Sequence, residues 1–261
     1  MFKALTIAGS DCSGGAGIQA DLKTFAAYGI YGMSVITAVT AQNTLGVTSI
    51  ETIKPKMVEN QLDAIFMDII PDAVKIGMVS SKAIISVIVD KLKQYKPKNV
   101  VLDPVMVATS GDRLFDIEAQ SALVSQLMPL TDMVTPNIPE AEILSGLEIK
   151  NKQDMIKAAK EIATYYKGAV LIKGGHLEEN SDDLLYKEGL NYWLSRERVE
   201  TVNTHGTGCT LSSAIAANLA MENEMIESVK NAKDYVYGAL LDGMNLGHGN
   251  GPLNHLYKLK D

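Results

Sequence analysis

The chain has 261 residues, 46% of them hydrophobic and 21% charged, a balance that excludes a disordered tail, a collagen or a coiled coil. Its 24 Lys and Arg against 31 Asp and Glu leave a formal charge of -7, so no global field draws in phosphate backbones and nucleic acid is not an expected partner. One or two domains fit the length, and because α/β folds of about 250 residues commonly form one unit, residues 1–261 are expected to make a single domain.

Along the chain, short apolar runs rich in β-branched residues alternate with helix-like stretches. Strands are expected at Ala4 to Ala8, Ser34 to Ala41, Ala73 to Ile76, Asn99 to Leu102, Met133 to Thr135 and Ala169 to Ile172. The N-terminus runs from Met1 straight into a glycine loop without the layout of a signal peptide. The richest apolar run, Ala83 to Val89, ends at Asp90, far short of the roughly 18 residues of a membrane span. The cytoplasm is therefore the expected compartment, with no membrane partner. Lys91 to Lys98 reads as the solvated end of a helix. Asn151 is suited to cap a helix over Lys152 to Tyr166, where Met155, Ile156, Ala159, Ile162, Ala163 and Tyr166 share one face. Glu178 to Tyr192 reads as a turn and hairpin at a sheet edge, and Gly208 to Met221 as an alanine-rich helix. The alternation predicts an α/β layered fold with a mostly parallel sheet, whose ligand lies beyond the carboxyl ends of the strands.

The residues that follow the expected strands are the informative ones. Gly9 to Gly17 is a glycine loop opening a helix at Ile18-Gln19-Ala20-Asp21, with free amides at a helix N-terminus. Gly15 to Ala20 matches the G-x-G-x-x-A dinucleotide pattern, but the second strand ends at Gln42-Asn43-Thr44 without the acidic residue that would hold a ribose. Late in the chain, His205-Gly206-Thr207-Gly208-Cys209 opens another helix, where exposed amides make a hole for phosphoryl oxygens. A cysteine at such a helix start is expected to favour its thiolate, acting as a base toward a substrate hydroxyl or as a nucleophile with His205, or else simply to pack the first turn. With only Cys12 and Cys209 in the chain, neither a disulfide framework nor a zinc site is expected. Asp103, Asn137 and Glu140 follow two strands and suit magnesium held largely through waters, although N-capping accounts for Asp103 or Glu140 taken singly. Lys173, in Lys173-Gly174-Gly175-His176, is suited to neutralise a phosphoryl group in transfer.

Taken together, Ala8 to Asp11, Gly14 to Gly17, Gln19 to Asp21, Asp103 to Met106, Thr135 to Asn137, Lys173 to His176 and His205 to Cys209 resemble the hydroxymethylpyrimidine and phosphomethylpyrimidine kinases of thiamine biosynthesis, members of the ribokinase superfamily. The resemblance implies a ribokinase-like three-layer α/β/α fold, usually a homodimer. It also implies two successive ATP-dependent phosphorylations, of 4-amino-5-hydroxymethyl-2-methylpyrimidine and then of its monophosphate. By position, Gln42 corresponds to the substrate-facing glutamine, with Gly9, Asp11, Asp21 and Met78 lining the same pocket. Gly206, Thr207, Gly208 and Cys209 correspond to the anion hole, and Cys209 stands where many ribokinase-like enzymes carry an aspartate base. Asp103, Asn137, Thr207 and Lys173 fall to ATP, and Asp103 and Glu140 to its magnesium. Lys23 or His205 are candidates to meet the phosphate already on the second substrate. A pyridoxal or pyridoxine kinase of the same superfamily is the nearest alternative. A cysteine hydrolase using His205 and Cys209, and a catalytically silent sensor, come from other classes.

Overall fold

The structure is a computed structural model that describes residues 1–79, 81–106, 117–175 and 182–259. In chain order its elements are β1 (Lys3–Asp11), α1 (Gly17–Ala27), β2 (Tyr31–Asn43), β3 (Gly46–Thr52), α2 (Pro55–Phe66), β4 (Ala73–Ile76), α3 (Lys82–Tyr95) and β5 (Val100–Leu102). Then follow α4 (Ile117–Ala122), β6 (Met133–Val134), α5 (Ile138–Ser145), α6 (Lys152–Tyr165), β7 (Ala169–Ile172), β8 (Asp183–Lys187), β9 (Leu190–Leu194), α7 (Thr207–Ala220) and α8 (Met225–Leu241). The strands form one sheet in the order β3-β2-β1-β4-β5-β6-β7-β8-β9, parallel from β2 to β7. The flanking pairs β2–β3, β7–β8 and β8–β9 are antiparallel. From β1 the chain runs first to β2 on one side and later to β4 on the other. That reversal opens a crevice above β1 and β4, where ligands of such sheets bind.

Alternation along the strands decides which helices cover which face. Leu5, Ile7, Val74, Ile76, Val100, Leu102 and Val134 point into a core with residues of α2 to α6. Ala4, Ala73, Val101, Met133 and Ala169 point the other way, toward Phe25 of α1 and the apolar residues of α7 and α8. Small side chains on that second face let α7 lie close: every residue from Thr210 to Ala220 is buried. The result is the three-layer α/β/α arrangement expected.

Local signals explain the helix boundaries. Asn151 accepts hydrogen bonds from the amides of Gln153 and Asp154, and α6 buries Met155, Ala158, Ala159 and Ile162. The hairpin β8–β9 turns at Glu188-Gly189, both at positive φ, and its second strand is the sheet edge. Two expectations need correction. Strand β3, unmarked in the sequence reading, is exposed along its whole length and therefore lacks the burial pattern that betrays a strand. Lys91 is not solvated: its side chain is about 10% exposed and its ammonium is held by Asp63 and Glu59. His176 and the start of the expected hairpin, 178–181, lie outside the described residues.

Candidate active site

The strand ends and the mouth of α7 meet above β1 and β4. The two glycine loops touch backbone to backbone: a β-carbon on Gly206 would collide with the carbonyl oxygen of Gly15, and Gly206 has φ +85°, which side-chain-bearing residues rarely adopt. Between the loops, Asp11 at the end of β1 accepts hydrogen bonds from the backbone and hydroxyl of Ser13 (2.8 Å each), from the Ala16 amide (2.9 Å) and from His205 Nε2 (2.9 Å). Burial works against its charge, but these donors, His205 first, hold the carboxyl well below the usual carboxylate range.

His205 carries the network on to Gln42 at the end of β2, whose side-chain amide lies 3.4 Å from His205 Nε2 and 3.1 Å from Thr40 Oγ1. Thr40 Oγ1 also reaches the Ser10 carbonyl at 3.1 Å. A hydroxyl has one hydrogen, and an imidazole nitrogen bound to a carboxylate is itself the donor. Thr40 Oγ1 therefore shares its hydrogen between the Ser10 carbonyl and Gln42 Oε1, while the Gln42 NH2 group, facing a His205 nitrogen whose proton Asp11 holds, keeps its N–H donors for a ligand. Met78, after β4, lies against Gly9. Cys12 is exposed at the rim, its sulfur exchanging hydrogen bonds with the backbone of Gln42 at 3.2 and 3.3 Å.

Asp21 departs from the expectation that it lines the pocket. Its carboxylate is fully enclosed and takes hydrogen bonds from Thr6 (2.6 Å), Ser213 (2.6 Å) and Lys75 (2.8 and 2.9 Å), so it presents nothing to a ligand. Cys209 also differs from expectation. Burial pushes the thiol up, and the Asp21 and Asp103 carboxylates add to it, while the buried Lys75 ammonium and the Gly17 amide, at the start of α1, act the other way. At rest it is a thiol. Thr207 turns its hydroxyl onto the Thr204 carbonyl at 2.7 Å, tightening the loop that leads to the mouth.

The third cluster belongs to β5, β6 and β7. Lys173 donates to Asp103 Oδ1 at 2.8 Å, and Thr135 donates to the same oxygen at 3.2 Å. Burial opposes the Lys173 charge, yet Asp103 and Glu140 raise its pKa, so it remains an ammonium beside Gly208. Asn137 and Glu140 form a reciprocal capping box on α5: Glu140 N donates to Asn137 Oδ1 at 2.9 Å and Asn137 N to Glu140 Oε2 at 2.8 Å. The other Glu140 oxygen accepts from the Met106 amide at 3.0 Å. Burial raises the Glu140 pKa, with Lys173 acting against it. Direct ligation of a metal by Glu140 is therefore disfavoured, since backbone amides hold both of its oxygens. Asp103, whose Oδ2 has among the described residues only a 3.4 Å contact with Ser212, is the carboxylate with capacity to spare. The pair fits a magnesium ion that keeps its water shell and fits no dehydrated cage, and the described residues contain no group of three or more ligating side chains.

Sequence reasoning missed Thr6, Thr40, Lys75, Thr135, Ser212 and Ser213. Lys75 was detectable in principle: a lysine inside the apolar run Ala73 to Ile76 of a parallel strand needs a buried partner. The others are hydroxyls without any pattern of their own.

The chain matches the family model described as phosphomethylpyrimidine kinase over residues 11–254. It is 49% identical to the hydroxymethylpyrimidine/phosphomethylpyrimidine kinase of Rhizobium meliloti over 98% of this chain and 97% of that one. Among solved structures it is similar to the phosphomethylpyrimidine kinase of Clostridium difficile, with 49% identity, a TM-score of 0.83 and coverage of 92% of this chain and 100% of that one. It is similar also to the ADP complex of Bacillus subtilis pyridoxal kinase, with 40% identity, a TM-score of 0.93 and full coverage of both chains. No helix among the described residues is long and apolar enough to cross a membrane.

Proposed function

The chain belongs to the phosphomethylpyrimidine kinase family, and from that premise we propose that it transfers the γ-phosphoryl group of ATP to 4-amino-5-hydroxymethyl-2-methylpyrimidine and then to the monophosphate so formed, as a step of thiamine biosynthesis. The observation that carries this reading is the meeting of a polar wall, Asp11–His205–Gln42, with the amide mouth at Gly206 to Cys209, across the two touching glycine loops. The fixed Gln42 amide offers a donor to a ring nitrogen and an acceptor to an exocyclic amine, while Met78 and Gly9 supply an apolar floor. Cys209 faces the hydroxymethyl group. In-line transfer through a loose transition state needs alignment and charge compensation more than bond-making by the protein. The amides of Gly206 and Gly208 and the Lys173 ammonium supply that compensation where charge develops. Asn137 and Thr207, next to Lys173 and the mouth, suit the nucleotide. Asp103, with Glu140 behind Lys173, would hold hydrated magnesium, which when bound neutralises phosphate charge.

Because Cys209 rests as a thiol, it must lose its proton before it can accept one from the substrate. Turnover that depends on it rises with pH on the alkaline side of the ordinary cysteine value. In a coupled ADP assay, Cys209→Ala should lower kcat about 10²- to 10⁴-fold, leave the KM for ATP near its starting value and abolish that alkaline rise. Unchanged turnover would remove Cys209 from the chemistry. Pyridoxal is the second substrate to try, given the likeness to a pyridoxal kinase. Side-by-side rates with the pyrimidine, its monophosphate and pyridoxal decide between the two. We further propose that residues 1–261 act as one domain in the cytoplasm and as a homodimer, a second copy covering the exposed Val39, Leu45, Val47 and Ile50 on β2, β3 and the turn between them.

A further inference from the structure

Two lysine–aspartate pairs lie under the mouth of α7, each tied to that helix by one of two consecutive serines. Ser212 reaches Asp103 of the Lys173–Asp103 pair at 3.4 Å, and Ser213 donates to Asp21 of the Lys75–Asp21 pair at 2.6 Å. The first pair is partly open, its lysine side chain 16% exposed, and serves the phosphoryl group in the reading proposed above; the second has 0% exposure on both side chains. A fully buried ion pair is a poor source of stability, because apolar residues of similar volume do as well or better. Its retention calls for another explanation.

The fold supplies one. Ser213 stands four residues after Cys209, so the two share a face of α7, one turn apart, and the Cys209 face is the one resting on the buried pair. Lys75 sits on β4 but its ammonium reaches past the strand end: a β-carbon on Gly77 would stand 2.7 Å from Lys75 Nζ. A side chain at 77 would crowd the charge there. Thr6, on β1, holds the second Asp21 oxygen at 2.6 Å, so the carboxylate cannot turn away from the lysine.

We infer that Lys75 is a positioning residue for Cys209: Asp21 and Ser213 fix its ammonium against the face of α7 that carries Cys209, where it sustains the negative charge the sulfur takes up during turnover. The inference rests on the reading of Cys209 as the group beside the substrate hydroxyl. Charged groups act on that sulfur from four elements or strand ends: Lys75 on β4, Asp21 on α1, Asp103 after β5 and Lys173 after β7. His205, on the preceding loop, is turned to Asp11 and Gln42. Two positive and two negative groups balance, so removing either member of the buried pair tips the field at the sulfur in a defined direction.

The test is the rate at which iodoacetamide labels Cys209 in the ligand-free protein at one neutral pH, read on the Cys209 peptide by mass so that the exposed Cys12 does not interfere. Lys75→Met should slow labelling about tenfold, equivalent to one unit in the thiol pKa, and lower kcat without changing the KM for ATP. Asp21→Asn, nearly isosteric and still an acceptor for Ser213, should speed labelling. Opposite shifts are the signature of charge. Equal rates, or both variants moving the same way as loosened packing would make them, overturn the inference. Where Lys75→Met does not fold, Asp21→Asn decides alone, and labelling no faster than in the unaltered protein overturns it. Opposite shifts in labelling with unchanged kcat in Lys75→Met would uphold the placement of the charge and instead remove Cys209 as the base.

Discussion

His255 shows how a single buried side chain ties the site to the rest of the chain. It is buried in the C-terminal segment, its Nε2 3.0 Å from the hydroxyl of Thr210 in the first turn of α7, and its carbonyl accepts from Tyr235 at 2.6 Å. Burial, with Lys23 adding to it, lowers its pKa from 6.5 to about 4. Between those values the unfolded chain binds a proton that the folded chain refuses. The stabilisation is complete above the unfolded value and is lost as pH falls through the folded one, up to about 3 kcal/mol. Urea melts at pH 7 and pH 4.5 should therefore show a smaller acid loss in His255→Gln than in the unaltered chain. Equal losses would assign the sensitivity elsewhere. Glu140 and Asp183, whose pKa values burial raises, act in the opposite sense but are common to both proteins and cancel in the comparison. At this scale the positions of Gln42 at the end of β2, Lys173 just after β7 and Cys209 at the start of α7 were legible, because each is a residue type rare in its setting. It misled at Asp21, because a carboxylate in the first turns of a helix reads the same whether it faces solvent or a buried lysine.

Among the elements, α7 and its preceding loop bear most of the chemistry, and their placement depends on Gly206. Alanine there would carry a strained positive φ and press its methyl into the Gly15 carbonyl, costing about 1–3 kcal/mol and moving the amide mouth. Gly206→Ala should lower the melting temperature and reduce kcat about 10²-fold, the usual loss when an oxyanion donor is displaced. A variant that melts earlier but turns over normally would place the phosphoryl hole elsewhere. Strands β1, β4 and β7 and helix α6 were readable from apolar period and caps, since each is defined by its own burial. Strand β3 was not, because it gains its conformation from pairing with β2 while all seven of its residues face solvent. The capping box on α5 illustrates a different limit. Asn137 and Glu140 at a spacing of three fit both a cap and a metal site, and only the positions of the Asn137 and Met106 amides decide between them.

For the molecule as a whole, the sheet brings together residues that the chain keeps far apart, and its C-terminal segment locks them. The amides of His248 and Gly249 donate to Thr44 Oγ1 at 3.1 and 3.2 Å, and that of Asn250 donates to the Thr44 carbonyl at 3.0 Å. The His205 amide in turn donates to Gly251 at 3.0 Å. The turn that follows Gln42 is thus strapped to the loop before the mouth. Thr44→Val removes two of these bonds, worth about 1 kcal/mol together if the strap serves Gln42. The KM for the pyrimidine should then rise about fivefold with the KM for ATP unchanged. A rise confined to ATP would separate the strap from the pyrimidine wall. The layered fold was legible because every parallel strand carries its own signal, whereas the strap was not: two of its bonds join main-chain groups and the other two end on the hydroxyl of Thr44, a threonine without any pattern of its own.

The contact between Asp11 and His205 spans 194 residues. During translation at about 5–20 residues per second, the first glycine loop waits roughly 10–40 s for its counterpart to leave the ribosome. The central strand must also wait for β4 before it has neighbours on both sides. A nascent chain of this family therefore holds an early loop of bare amides without the helix that completes it, and phosphoryl transfer begins only when the final segment has been delivered and docked.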